Sequence, residues 1–178
     1  MLKNAVIITG NLVQDHEFIY PYYRLLEDNF KVDVCINEGK NVKGILGTDI
    51  PSNKNQVIKK IEEIKTTDYD LLIIPGGVKA MEKVRQNLKI IEFISKFHSE
   101  EKIIGCICSG AQLLISAKIV KNNKISGYYS MKDDLINAGA IYEDLPAVID
   151  DNIVTTAHYK DLGPWMKAVI SEYYKINS

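Results

Sequence analysis

GCICSGAQLL, residues 105–114, is where this chain changes from strand to helix, and it holds two of the three cysteines. The apolar run IIGCI before it has the composition of a strand buried on both faces, and AQLLISA after it has that of a helix. Cys108 falls at the junction, with Gly105 three residues before it and Gly110 two after. Small neighbours at such a turn relieve crowding while the turn lifts a reactive side chain above the sheet, the logic of a nucleophile elbow. The N-terminus of the following helix would stabilise a thiolate, so a lowered Cys108 pKa is expected, with the Ser109 N–H available to hold an oxyanion. Cys106, inside the strand, and Cys35, inside VDVCI, read as small apolar filling.

Working outward, strands and helices alternate. Ala5–Thr9, Lys31–Ile36, Leu71–Ile74 and Lys102–Ile107 read as strands, and Phe18–Asn29, Leu88–His98 and Gly110–Ala117 as helices. Asn55–Thr66 carries Val57, Ile58, Ile61 and Ile64 at helical spacing, which predicts another helix. Residues 37–52 promise short β-like pieces at best. Met131–Ala138 reads as a short helix, Ala147–Ile149 with Ile153–Thr156 as a hairpin, and Pro164–Tyr174 as a closing helix with Pro164 in its first turn. This order predicts an α/β fold with a mainly parallel central sheet covered by helices on both faces, and one domain over residues 1–178. Reactive groups in such folds gather at the carboxyl ends of the strands, which singles out Gly10–Glu17, Pro75–Glu82, Cys108–Gly110 and Thr155–His158. If the strands ending at Ile74 and Ile107 lie side by side, the Gly77 N–H faces the same oxyanion as the Ser109 N–H.

Bulk properties narrow the partners. The 22 basic and 23 acidic residues give a net charge of −1 with no block of like charges, so no basic patch invites a nucleic acid. Apolar runs are too short to span a bilayer, and MLKNAVIITG lacks a small-residue cleavage site, so a cytoplasmic protein without membrane association is expected. Three cysteines form no disulfide framework, and His16, His98 and His158 show no zinc spacing, so neither a metal nor a cofactor is expected. His98 precedes the cysteine strand and reads as solvated.

YDLLIIPGG (69–77), CSGAQLL (108–114) and MKDDLINAGA (131–140) together resemble the ThiJ/PfpI superfamily, and TGNLVQDHEFIYPYYRLL (9–26) draws the likeness toward its PfpI-type intracellular proteases and stress proteins. The resemblance implies a flavodoxin-like three-layer sandwich related to class I glutamine amidotransferases, a nucleophile at Cys108, and subunits paired as homodimers or larger rings. It implies an acid as well: Glu17 matches the glutamate that leans over the cysteine, and a carboxyl there would carry the proton itself. The chain departs from the pattern at Ser109, where PfpI-type members have histidine, and serine is no base near neutral pH. His158, at the end of a late strand, is the candidate replacement, and His16 is counted only among residues lining the mouth. Glu82 resembles a glutamate offered to a neighbouring subunit, although matching EKVR needs one extra residue after the glycines. Tyr128 and Tyr129 stand where the family has an aromatic followed by proline, to wall the pocket or pack between subunits. These readings predict a cysteine-dependent hydrolase or lyase-type enzyme for a small carbonyl, amide or peptide substrate. A redox-sensing or chaperone-like stress protein is the alternative.

Overall fold

The computed structural model describes residues 3–176. Its strands are β1 (Lys3–Thr9), β2 (Phe30–Ile36), β3 (Val42–Lys43), β4 (Asp49–Ile50), β5 (Val57–Lys59), β6 (Leu71–Ile74), β7 (Ile103–Ile107), β8 (Lys124–Ile125), β9 (Ile141–Tyr142), β10 (Val148–Asp150) and β11 (Ile153–Thr156). The helices are α1 (Asp15–Glu27), α2 (Val78–Val84), α3 (Leu88–Ser99), α4 (Ala111–Ser116), α5 (Lys132–Asn137) and α6 (Leu162–Ile176). Seven strands form the central sheet in the order β10-β11-β7-β6-β1-β2-β5, and every pairing is parallel except the β10–β11 hairpin. Helices α1 and α6 pack against each other and the sheet, while α2, α3 and α4 form the other helical group. The result is the expected α/β sandwich of flavodoxin-like type.

Burial explains the strand sequences. Leu71–Ile74 and Ile103–Ile107 are buried throughout, so both read as bare apolar runs rather than alternating ones. The α6 helix seats Trp165, fully buried, on this core, and its indole N–H donates to the Val154 carbonyl at 3.0 Å. Such a bond satisfies the one polar atom of a large apolar side chain.

One predicted helix is absent. Within Asn55–Thr66 the chain forms the edge strand β5, parallel to β2, followed by 3₁₀ turns at Ile61–Glu63 and Thr66–Asp68. Ile61 and Ile64 are buried as helical spacing suggested, but Val57 is exposed and Ile58 only half-buried. Pairing with β2 satisfies backbone groups that the sheet would otherwise leave open, and β-branched residues suit that edge. Two small ribbons complete the strands: β3–β4 lies within residues 37–52, where short β-like pieces were expected, whereas β8–β9 was marked by no sequence pattern.

The topology positions the site. From β1 the chain runs outward to β2 and β5, then crosses to β6 on the other side of β1. The order therefore reverses between β1 and β6, and the crevice outside their carboxyl ends is where such folds place ligands.

Candidate active site

Three strand ends converge in that crevice: β1 leads into Glu17, β6 into Gly76-Gly77, and β7 into Cys108. Cys108 has a φ of +58°, a left-handed conformation uncommon for any residue with a Cβ. Such a strained backbone costs on the order of 1 kcal/mol or more and persists only where its surroundings enforce it. Gly110 is one of those surroundings, since a Cβ there would meet the Ile74 and Pro75 carbonyl oxygens at 2.8 Å. The elbow leaves Cys108 only 8 % exposed, at the wall of a cavity of about 420 Å³. Cys106 and Cys35 are buried in the core, as their strand positions imply.

Glu17 sits in the first turn of α1 and is fully buried. Its Oε2 accepts the Gly76 N–H at 2.8 Å. The Cys108 thiol is close enough to pull the carboxyl pKa down through hydrogen bonding, although no bond of ordinary length reaches Oε1. Burial wins over both hydrogen bonds and raises Glu17 to about 7. Gly76 must be glycine for this meeting to occur, because a Cβ would lie 2.8 Å from that of Cys108 and would strike the Glu17 carboxylate.

The thiol itself corrects an expectation. Rather than being lowered, Cys108 is pushed up to about 12, by burial first and then by the Glu17 charge. Ser109 opposes this through its hydroxyl, 3.7 Å from Sγ, and its backbone N–H. The helix that was to stabilise a thiolate, α4, is six residues long and begins only after a 3₁₀ turn over Cys108–Gly110, so its dipole is weak against desolvation. Carboxyl and thiol therefore titrate as a coupled pair, each shifting the other's proton affinity.

Gly77, with φ +93°, lines the cavity, and its N–H makes no hydrogen bond among the described residues. Ser109 lines it too. His158 borders the same cavity at the end of β11. Its Nδ1 accepts the Lys160 N–H at 3.2 Å, and partial burial, followed by the charge of Lys160, lowers its pKa. Aromatic rings enclose it: Tyr159 at a centroid distance of 4.0 Å, Tyr129 at 6.1 Å and Tyr128 at 6.2 Å. Of the tyrosine pair named from the sequence, Tyr128 lines the cavity, while Tyr129 stands behind the lining, against Tyr128 and His158. His16 is exposed, stacked on Tyr159 at 5.1 Å, and stands outside the cavity lining. Glu82 is exposed on α2 and lines a separate, adjoining cavity of about 530 Å³. His98 is not solvated as expected, being mostly covered, with Nε2 3.9 Å from an Asp151 carboxylate oxygen.

Sequence reasoning passed over three residues. Asp15, buried beside Glu17 in sequence, accepts the N–H groups of Leu46 at 2.7 Å and Thr48 at 2.9 Å. It thereby holds the loop whose Ile45 closes one side of the cavity. Burial would raise its pKa, but the combined hydrogen bonds to Leu46 and Thr48 leave it lowered. Gln14 and Gln112 also line the cavity. Their place after β1 and after the elbow was the available signal.

A mainly parallel α/β sandwich with a cysteine on a strained strand-to-helix elbow, next to a buried carboxyl, defines the class: flavodoxin-like sandwiches that carry a cysteine at the carboxyl end of a central strand. Comparison with known proteins narrows this. The profile of the DJ-1/PfpI family matches residues 3–172, and the chain belongs to that family. Deglycase PfpI of Pyrococcus furiosus is 35 % identical over 165 residues, covering 93 % of this chain and 96 % of the relative. General stress protein 18 of Bacillus subtilis is 33 % identical over 164 residues, covering 91 % and 92 %. A two-domain protein from Anabaena variabilis, containing DJ-1/ThiJ/PfpI-like and ferritin-like domains, superposes with a TM-score of 0.87 at 28 % identity over 96 % of this chain; the chain spans 48 % of that protein's length. Among the described residues no helix is long and apolar enough to cross a membrane.

Proposed function

We propose that this chain is a cysteine-dependent enzyme acting on a small carbonyl compound, or on an amide or amine adduct derived from one, with Cys108 as nucleophile. The observation that carries this reading is the coupling of the Cys108 thiol to a buried Glu17 carboxyl raised to about 7, beside a cavity of about 420 Å³. A base with a pKa near the working pH is the most effective kind for moving a proton in a transition state. The thiol need not ionise alone. As sulfur bonds to the carbonyl carbon, the thiol proton passes to the Glu17 carboxylate and the C=O π electrons move to oxygen. The Gly77 and Ser109 N–H groups would hold that oxyanion, and Glu17 then returns the proton to it, completing a neutral tetrahedral adduct without redox change. A cavity of this volume suits a small molecule better than an extended peptide. Kinship with a protein named deglycase supports carbonyl adducts of amines as one substrate form.

A redox sensor needs a standing thiolate, and a thiol pushed up to about 12 supplies little of it, so the enzymatic reading is better supported. Assembly into a homodimer or larger ring belongs to the proposal, and Glu82 would reach a Cys108 site only from a neighbouring subunit. Analytical ultracentrifugation gives the subunit number. Turnover of small dicarbonyls, amides and short peptides by wild type, Cys108→Ser and Glu17→Gln tests the chemistry. Loss of about 100-fold or more in both variants is expected. Equal turnover by Cys108→Ser overturns the reading.

A further inference from the structure

Three polar side chains in the cavity wall share a property that follows from their partners. Gln14, the N-cap of α1, has its amide oxygen engaged by the His16 backbone N–H at 3.3 Å. Gln112, in α4, has its oxygen engaged by Arg85 Nη1 at 3.3 Å. His158 has Nδ1 engaged by the Lys160 backbone N–H at 3.2 Å. A backbone N–H and a guanidinium can only donate, so each pairing fixes which end of the side chain accepts. Each amide therefore keeps its NH₂ group, and the neutral imidazole its Nε2–H, without a partner among the described residues. These donors come from three separate elements of one cavity.

The electrostatic setting agrees. Among the described residues Glu17 is the only carboxylate lining the cavity, and one of its oxygens is committed to Gly76. Arg85 stands behind Gln112, bound also to the Ser116 hydroxyl through Nε at 3.1 Å and Nη2 at 2.9 Å, and has no carboxylate partner among the described residues. A cation on the amide oxygen polarises Gln112 and strengthens its N–H groups as donors.

We infer that this donor-lined wall selects carbonyl compounds bearing a carboxylate, such as 2-oxo or aldehyde acids, over cationic or purely apolar ones. The inference rests on Cys108 as the reacting atom, and Arg85 and the Lys160 N–H act in it as positioning groups. A ligand rich in acceptor oxygens satisfies the waiting N–H groups, whereas an ammonium would face donors and leave them unpaired, the kind of mismatch on which polar sites discriminate most strongly.

Calorimetric titration of Cys108→Ser, which removes the thiol while leaving the wall intact, tests this without turnover. The probes are oxamate, acetamide and ethylammonium. Oxamate should bind about tenfold or more tighter than either of the others. Gln112→Glu, nearly isosteric and able to pair with Arg85, should reverse the order between oxamate and ethylammonium. His158→Phe, which keeps the aromatic stack and removes the N–H, should weaken oxamate several-fold, with thermal melts showing both variants folded. Oxamate binding no better than acetamide, or an order unchanged by Gln112→Glu, overturns the inference. Because no catalysis is measured, inactive wild type with oxamate-selective binding would refute only the proposed function. Active wild type without that selectivity would refute only this inference.

Discussion

Glu17→Gln should make the protein more stable while disabling it, and the size of the gain is fixed by the burial of one carboxyl. In the fold, Glu17 rises from an ordinary 4.5 to about 7. At about 1.4 kcal/mol for each tenfold change in proton affinity, this difference is worth about 3 kcal/mol. The sign follows from proton counts. Between pH 4.5 and about 7 the folded chain holds the Glu17 proton while the unfolded chain has released it. Stability therefore falls as pH rises through that window. Glutamine stays neutral, keeps an oxygen for the Gly76 N–H and can turn its amide toward sulfur. The gain from the substitution should be about 1 kcal/mol at pH 5 and grow to about 3 kcal/mol at pH 8. For a chain of this size that corresponds to a Tm difference of about 6–12 °C at the higher pH. Urea midpoints and calorimetric Tm values for both proteins from pH 5 to 8 give the curve. A gap independent of pH, or a wild type that outlasts the variant at pH 8, would refute a buried, strained carboxyl at this position.

Other outcomes follow from the same geometry. Gly76→Ala should abolish turnover and cost about 1–3 kcal/mol in urea denaturation, because its methyl group would press on Cys108 and displace the Glu17 carboxylate. Asp15→Ala should lower stability by about 1–3 kcal/mol through two orphaned backbone N–H groups at Leu46 and Thr48. Since the fold lowers the Asp15 pKa, its contribution is present above the unfolded value and is lost as pH falls below it, so wild type and variant should converge in acid melts. Cys106→Ala should cost about 1–2 kcal/mol as a small core cavity yet leave turnover within about twofold of wild type, separating packing from chemistry in neighbouring cysteines.

The central sheet was legible because β1, β6 and β7 are buried on both faces, which leaves an unmistakable apolar run between turns. Edge strand β5 was not, since its half-exposed residues happened to fall at helical spacing and only the open side of β2 decides their pairing. Cys108 could be singled out from its glycines and the strand-to-helix change. Glu17 could be placed only through family resemblance, because nothing local marks a first-turn glutamate as buried. The direction of the thiol pKa was misjudged for a related reason: the helix end is visible in sequence, but burial and the facing carboxylate arise from tertiary contact. Gln112 was passed over because its meaning lies in Arg85, 27 residues away.

The account depends most on Cys108 forming a bond to carbonyl carbon. Adding a ¹³C-carbonyl-labelled aldehyde acid to the protein and following the carbon by NMR observes that bond itself. In wild type the carbonyl signal should give way to a tetrahedral carbon bonded to sulfur, and this signal should be missing in Cys108→Ser. Persistence of the free carbonyl and its hydrate alone in wild type, or the same adduct in both proteins, would contradict the account.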